Sequence, residues 1–228
     1  MTSGCVPCNY TRMQEGANAD YTRPDFDSMA LITIDMQQDF LAGQPFEIPG
    51  TSEILPRMQR LAAAFRRARL PVVHMVRLYK SDGSNVDLCR RRAVEQGAAI
   101  VCPGTLGAEL APPLLPGPNA KLDANLLLSG APQPLGPKEW VMYKPRWGAF
   151  FQTPLEQHLL TLGVTSIAFA GCNFPNCPRA SMYEASERDF RIVLVADAVS
   201  GLYDRSQEEM RGIGVILMTA EHLAHTIV

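Results

Sequence analysis

Short runs of apolar residues alternate with amphipathic segments along this chain. The short runs contain few polar positions, which is typical of strands buried on both faces of a parallel sheet. The longer segments repeat apolar residues at helical spacing, and the order strand, helix, strand predicts parallel βαβ units. The predicted strands are residues 30–34, 71–76, 140–143, 167–170, 192–196 and 215–218. The predicted helices are residues 51–69, 88–96, 154–162, 180–188, 206–211 and 220–227.

This order predicts an α/β fold, a three-layer α/β/α sandwich around a parallel sheet of about six strands. Residues 1–28 are polar and rich in turn formers, so we expect an N-terminal arm, followed by one domain over residues 29–228. The arm contains a lone CxxC, Cys5 and Cys8, without further metal ligands nearby. Residues 103–137 are rich in proline and glycine, which indicates a functional loop or lid.

Composition restricts the class of partner. The chain has 228 residues, 46% of them hydrophobic and 19% charged, with a formal net charge of −2. A charge so close to zero favours neither nucleic acid nor an anionic membrane as partner, and leaves a small molecule. No apolar run reaches membrane-spanning length and no hydrophobic signal core precedes the domain. We therefore expect a cytoplasmic protein whose six cysteines are mostly reduced.

Reactive side chains follow four of the predicted strands. Asp35, Lys144 and Asp197 each end a strand, and Cys177 lies one turn beyond another. Carboxyl ends of parallel strands meet at one edge of the sheet, where ligands bind. A carboxylate there can take a thiol proton, and an ammonium can stabilise the resulting charges. The start of a helix at Pro178 favours the thiolate form of the neighbouring cysteine, whereas Asp197 is interpreted as a structural cap.

These residues lie in motifs that resemble the isochorismatase-like cysteine hydrolases, a family that includes nicotinamidase, N-carbamoylsarcosine amidohydrolase and ureide amidases. Residues 34–40 (IDMQQDF) resemble the first motif of the family, which begins with the catalytic aspartate. Lys144, ahead of residues 147–150 (WGAF), resembles the family's lysine motif. Residues 171–177 (GCNFPNC) match the spacing of the glycine-to-nucleophile turn. The resemblance covers residues 29–228.

The resemblance implies a catalytic triad of Asp35, Lys144 and Cys177. It implies an oxyanion site formed by the backbone N–H groups of Asn173 and Cys177, with a non-proline cis peptide bond between Cys172 and Asn173. It also implies a homo-oligomer, either a dimer or a tetramer. Because isochorismatases that cleave a vinyl ether generally lack the nucleophilic cysteine, the thiol favours hydrolysis of a C–N bond through a thioester.

Five further side chains are candidates for substrate binding. Arg146, Trp147 and Arg179 lie near the motif ends, where they could bind a carboxylate or a planar ureide. Arg179 could equally form an ion pair on its own helix. Phe40 and Phe174 could form walls of the pocket or belong to the core.

We expect no metal and no cofactor. Nicotinamidases have an Asp-x-His metal motif after the second strand, where this chain has residues 77–83 (RLYKSDG). The pair His222 and His225 is explained by a solvated helix face.

Several alternatives stay open at this point. They are an enzyme of the same fold that acts on an enol ether or ester, a catalytically idle binding protein, a nucleotide-binding oxidoreductase and a thiol redox protein. No G-x-G-x-x-G motif follows the first strand, and Cys172 and Cys177 do not form a CxxC at the helix start, which disfavours the last two.

Overall fold

A computed structural model describes residues 20–228 of the chain. Within these residues the strands are β1 (Met29–Ile34), β2 (Val72–Val76), β3 (Gln133–Gly136), β4 (Glu139–Tyr143), β5 (Ser166–Gly171), β6 (Arg191–Val199) and β7 (Ile216–Met218). The helices are α1 (Thr51–Arg67), α2 (Leu88–Glu95), α3 (Ala124–Leu128), α4 (Leu155–Thr161), α5 (Cys177–Ser186), α6 (Asp204–Gly212) and α7 (Ala220–Thr226). Three short 3-10 turns, Gln38–Phe40, Leu106–Ala108 and Pro112–Leu114, lie in the connections.

The strands form one sheet in the order β3-β4-β2-β1-β5-β6-β7. All neighbouring pairs are parallel except β3 with β4. The chain builds outward from β1 through β2 to β4, and then crosses back so that β5 pairs with the other side of β1. Such a reversal opens a crevice at the carboxyl ends of β1 and β5, where open α/β sheets bind ligands.

Helices cover both faces of the sheet, which explains why the strands are continuously apolar. In β1, Ala30 and Ile32 belong to a core cluster with residues of α4, α5 and α6. Met29 and Leu31, which point the other way, belong to a second cluster with residues of α1 and α7. Successive side chains of a strand face opposite sides, so both helix layers bury apolar surface against the same strand.

The predicted α/β sandwich with about six parallel strands is confirmed. All six predicted parallel strands are present, and β6 is longer than expected, because it continues past Asp197 to Val199. Sequence reasoning missed β3, an antiparallel edge strand. It contains Pro134 and Gly136, which sheet edges tolerate but which weaken any strand pattern in the sequence.

The proline-rich segment 103–137 lies over the carboxyl end of β1. The backbone N–H of Gln38 donates to the carbonyl of Glu109 at 2.9 Å, and that of Ala111 donates to Met36 at 2.8 Å. This connection therefore forms part of the surroundings of the crevice, and its predicted role as a lid stays a prediction.

Only the end of the predicted arm belongs to the described residues; Cys5 and Cys8 lie outside them. The backbone N–H of Asp25 donates to the Ser166 hydroxyl at 2.8 Å, and the Ser28 carbonyl accepts from Thr165 at 3.0 Å. Residues 25–28 thus pack beside the start of β5. In the part of the chain from residue 20 onward, no helix is both long and apolar enough to cross a membrane.

Candidate active site

The crevice between β1 and β5 brings together the three residues of the predicted triad. Asp35 directly follows β1, Lys144 directly follows β4, and Cys177 is the first residue of α5. Their exposed fractions are 4%, 0% and 6%, so all three are buried. A buried lysine and a buried aspartate are costly unless they are paired, which makes their mutual geometry the central feature of the site.

Lys144 and Asp35 form that pair. The Lys144 Nζ lies 2.8 Å from Asp35 Oδ2, and it also lies 3.4 Å from the carbonyl oxygen of Arg146. The other carboxylate oxygen, Asp35 Oδ1, is buried and has no hydrogen-bond partner among residues 20–228. Asp35 has a φ of 52°, a conformation that non-glycine residues rarely adopt. The carboxylate therefore has one oxygen fixed by the ammonium and one available to another group.

The turn before Cys177 depends on a glycine at the end of β5. Gly171 has a φ of 125°, and a Cβ at this position would overlap the carbonyl oxygen of Ile34. The following N–H, that of Cys172, donates to the same carbonyl at 2.9 Å. Further along the turn, the N–H of Phe174 donates to Ser200 at 2.8 Å. These contacts fix where α5 begins, and hence the position of the Cys177 thiol.

The electrostatic surroundings of Cys177 favour the neutral thiol. Burial raises the pKa of Cys177, and the Asp35 carboxylate raises it further, whereas Lys144 and Arg77 lower it. The expectation that the helix N-terminus biases this residue toward thiolate is therefore wrong. Desolvation and a neighbouring carboxylate outweigh the helix dipole here. Asp35, which has one unpartnered carboxylate oxygen, lines the same cavity as Cys177.

The peptide bond between Cys172 and Asn173, which was expected to be cis, is trans, as are all other peptide bonds in residues 20–228. That expectation is wrong. The N–H groups of Asn173 and Cys177 nevertheless donate no hydrogen bond to any residue of the described chain. Cys177 is at the first position of α5, where helix N–H groups have no intrahelical acceptor. Both donors remain free for a ligand.

A small cavity of about 20 Å³ lies among the residues of the candidate site. Asp35, Asn173 and Cys177 line it, together with Phe40 from the 3-10 turn after β1. A volume of this size holds about one water-sized group. The partly exposed members of the lining, such as Phe40 and Asn173, form its outer side.

Five residues of this lining are absent from the predicted site residues, namely Ile48, Arg77, Tyr79, Arg90 and Cys172. Arg77 follows β2 directly, at the same sheet edge as Asp35 and Lys144, and it is only 2% exposed. Its place after a buried strand was the signal that could have found it.

The other predicted binding residues lie outside the lining of this cavity. Arg146 and Trp147 line a separate, open depression beside Asp87, and Arg146 donates to the carbonyl of Asn85 at 3.2 Å. Phe174 is fully buried in the core. The structure therefore brings Phe40 to the cavity but not these three side chains.

Arg179 belongs to a surface network on the outer side of α5. It donates to the hydroxyls of Tyr203 at 2.8 Å and Tyr183 at 3.1 Å, and to Glu209 Oε2 at 2.7 Å. The expected structural role of Asp197 agrees with its contacts, since its Oδ1 accepts from the Ala220 N–H at 2.7 Å.

The residues of the crevice do not fit a metal site. No group of three or more His, Cys, Asp or Glu side chains converges anywhere in the described part of the chain. The ammonium of Lys144 contacts the Asp35 carboxylate at 2.8 Å instead, and a second cation, Arg77, lines the same cavity as Asp35.

Comparisons with known proteins agree with this architecture. The family model of the isochorismatase domain matches residues 29–222. A protein of Arabidopsis thaliana named a probable inactive nicotinamidase is 30% identical over 193 residues, which is 82% of this chain and 89% of that protein. The ureidoacrylate amidohydrolase of Methylorubrum extorquens is 25% identical over 195 residues, covering 76% of this chain and 70% of the enzyme.

A solved structure extends the likeness to three dimensions. The isochorismatase family protein from Desulfovibrio vulgaris superposes with a TM-score of 0.74 at 28% identity, covering 88% of this chain and 98% of the other. The matched domain, the relatives and the shared fold all span most of the chain. The chain belongs to the isochorismatase family.

Proposed function

We propose that this protein is a cysteine-dependent hydrolase of a small amide, ureide or N-carbamoyl compound. One observation carries the proposal. Lys144 fixes a single oxygen of Asp35 at 2.8 Å and leaves the second oxygen unpartnered, in the same cavity as the Cys177 thiol. A nucleophile, a base and a cation that orients the base are the parts that covalent acyl transfer requires.

In the first step, Asp35 takes the thiol proton of Cys177 as the sulfur attacks the carbonyl carbon of the substrate. The raised pKa of the thiol makes this transfer necessary, because little thiolate exists beforehand. The Lys144 ammonium stabilises the negative charge that moves between carboxylate and thiolate. A C–S bond forms, and the carbonyl oxygen becomes an oxyanion.

The free N–H groups of Asn173 and Cys177 support binding of that oxyanion. Neither has an acceptor within the described residues, and donors that need no rearrangement stabilise developing charge most effectively. In our proposal they serve this role with the trans peptide bond present in the structure.

The second half of the reaction returns the proton. Protonated Asp35 gives it to the departing nitrogen as the C–N bond breaks, which releases ammonia or an amine and leaves a thioester on Cys177. Asp35 then accepts a proton from water, whose oxygen attacks the thioester. Collapse of this intermediate breaks the C–S bond and frees the acid product, and the proton on Asp35 returns to the sulfur and restores the thiol.

The relatives support an amide substrate in general terms. The ureidoacrylate amidohydrolase acts, by its name, on a C–N bond, and it aligns with most of this chain. A second candidate, a catalytically idle binding protein, is favoured by the name of the Arabidopsis thaliana relative and by the small cavity. An enzyme of this fold that cleaves an ester or enol ether is the remaining alternative.

Ammonia release from a panel of small amides, ureides and N-carbamoyl compounds tests the proposal. We expect at least one substrate whose turnover disappears in Cys177→Ala and persists in Cys102→Ala, which removes a cysteine outside the cavity. Turnover that survives in Cys177→Ala would overturn the mechanism. If no compound of the panel releases ammonia and iodoacetamide does not alkylate Cys177, the result would support a catalytically idle binding protein instead.

We also propose a cytoplasmic location and a homo-oligomeric state. Cys89, Cys102, Cys172 and Cys177, the four cysteines within residues 20–228, are free thiols, which suits a reducing compartment. Sedimentation of the purified chain tests the oligomeric state, and a monomer at micromolar concentration would contradict it.

A further inference from the structure

Arg77 is a buried cation that the proposed reaction does not use. Its Nη1 lies 3.0 Å from Asp87 Oδ2 and donates to the carbonyl of Pro145 at 3.2 Å. Its Nε and Nη2 are buried and have no hydrogen-bond partner within residues 20–228. Buried N–H donors that lack an acceptor are energetically unfavourable, so the two unpartnered nitrogens of Arg77 indicate a ligand.

The two unpartnered nitrogens have the arrangement that a carboxylate requires. Nε and Nη2 form one edge of the planar guanidinium, with parallel N–H bonds that match two carboxylate oxygens. Contacts of Asp87 and Pro145 with Nη1 hold the opposite side of the group. Tyr79, which donates to Asp87 Oδ2 at 2.6 Å, stabilises this arrangement. The free edge of Arg77 is thus preorganised.

The charges around the cavity also call for an anion. Three cationic side chains, Arg77, Arg90 and Lys144, face two carboxylates, Asp35 and Asp87. With the thiol neutral, the group has one positive charge in excess. Burial raises the pKa of Tyr79 far above its usual range, so this residue supplies no compensating anion.

No other arginine near the motifs is free for this role. Arg90 also lines the cavity, but its side chain is 35% exposed, so water can accept from its remaining donors, whereas Nε and Nη2 of Arg77 are buried. Arg146 and Arg179 lie outside the cavity lining and donate to other acceptors. Arg77 lines the cavity with Asp35 and Cys177, so a ligand in this cavity that binds Arg77 has its remaining atoms near the residue that carries the thiol.

We propose that Arg77 binds a carboxylate of the substrate through Nε and Nη2, and that the substrate is therefore a small amide, ureide or N-carbamoyl compound with an anionic carboxylate close to its scissile carbonyl. This inference rests on the proposed function, because it assigns the substrate class of that site. The lining includes partly exposed residues, among them Phe40, Ile48 and Arg90, and in this proposal their side chains shift to admit such a molecule.

Alkylation of Cys177 by two similar reagents tests the inference without any turnover. Iodoacetate carries a carboxylate next to its reactive carbon, and iodoacetamide is its neutral counterpart. We expect the ratio of the iodoacetate rate to the iodoacetamide rate at Cys177, followed by peptide mass spectrometry, to fall about tenfold or more in Arg77→Gln. The control Arg205→Gln removes the same charge from an exposed position on α6 and should keep the wild-type ratio.

The same measurement separates the other roles of Arg77. If Arg77 acts only on the thiol pKa, Arg77→Gln slows both reagents equally and the ratio stays unchanged, which would overturn the inference. Arg77→Lys keeps the charge but loses the planar edge, so we expect an intermediate ratio. Circular dichroism establishes that each variant is folded before its rates are compared.

Protection of the wild-type protein gives a second test that needs no variant. Propionate and propionamide have nearly the same shape and differ in charge. We expect propionate to slow the alkylation of Cys177 by iodoacetamide at about tenfold lower concentration than propionamide. Equal protection, or none by propionate, would overturn the carboxylate site while leaving the cysteine hydrolase proposal intact, since that proposal is tested by ammonia release.

Discussion

Lys144 holds only one of the two carboxylate oxygens of Asp35. The Nζ to Oδ2 distance is 2.8 Å, and Oδ1 is buried without a partner in the described chain. A purely structural buried ion pair normally has its remaining lone pairs satisfied. Asp35 and Cys177 line the same cavity, and in the proposed reaction the unpartnered oxygen is the base that takes the thiol proton.

Asp35→Asn should make Cys177 more acidic while it abolishes turnover. The carboxylate raises the pKa of the thiol and Lys144 lowers it, so the amide removes the first effect and leaves the second. We expect the inflection in the pH profile of iodoacetamide alkylation at Cys177 to move to lower pH than in the wild type. An inflection that moves upward or does not move would contradict the account.

Lys144→Met should destabilise the fold by about 3–5 kcal/mol, because it leaves the Asp35 carboxylate buried without its cation. Urea unfolding at neutral pH measures this difference. The double variant Lys144→Met with Asp35→Asn removes both charges and should recover much of the loss. A single variant as stable as the wild type would show that the pair contributes nothing.

Glu139 should give the protein a stability that is lost in acid. Burial opposes its ionisation, but hydrogen bonds from Arg66 and His74 outweigh burial and lower the pKa of Glu139 to about 2. A carboxylate with a depressed pKa stabilises the fold above its unfolded pKa of about 4.3, and this contribution disappears as pH falls toward 2. We expect Glu139→Gln to lower the free energy of unfolding by about 3 kcal/mol at neutral pH. Between pH 5 and 2, the free energy of unfolding of this variant should fall less steeply than that of the wild type.

The comparison of unfolding free energies at several pH values checks this prediction. The control is Glu156→Gln, since Glu156 pairs with Arg188 at a half-exposed site and should change stability by less than about 1 kcal/mol. Equal pH slopes for the wild type and Glu139→Gln would contradict the assignment.

Gly171→Ala should be more damaging than an ordinary glycine substitution. The new Cβ would overlap the Ile34 carbonyl, and the φ of 125° is unfavourable for alanine. We expect a loss of at least about 2 kcal/mol in unfolding free energy. Gly212→Ala is the matched control, because a Cβ added at this position of α6 would meet no atom within 4 Å. We expect it to change the free energy of unfolding by less than about 1 kcal/mol. Similar costs for both would contradict the close approach of β5 to β1.

The sequence predicted those parts of the fold that depend on local pattern. Apolar runs without alternation indicated the buried parallel strands, and the residues that end them, Asp35 and Lys144, meet at one sheet edge because parallel strands share their direction. Strand β3 could not be predicted this way, because Pro134 and Gly136 weaken any strand pattern and are tolerated only at a sheet edge, where one side of the backbone pairs with no strand.

Other features depend on tertiary surroundings that the sequence does not contain. The position of Cys177 at a helix start was predictable, but its raised pKa comes from burial and from Asp35, which is distant in sequence. Arg146 and Arg179 lie close to motifs along the chain, yet their side chains contact other acceptors. Arg77 could have been found, because it also follows a buried strand at the same edge.

Trapping of the acyl-enzyme is the decisive test of Cys177 as the nucleophile. A substrate that releases ammonia is mixed with the wild-type protein, and the reaction is quenched in acid during turnover. The protein is then digested, and the masses of its peptides are measured by mass spectrometry. We expect the acyl group to be found as an added mass on Cys177, within the peptide that contains this residue, and not on Cys172. Rapid ammonia release with no acyl group on Cys177, or with the acyl group on another residue, would contradict it.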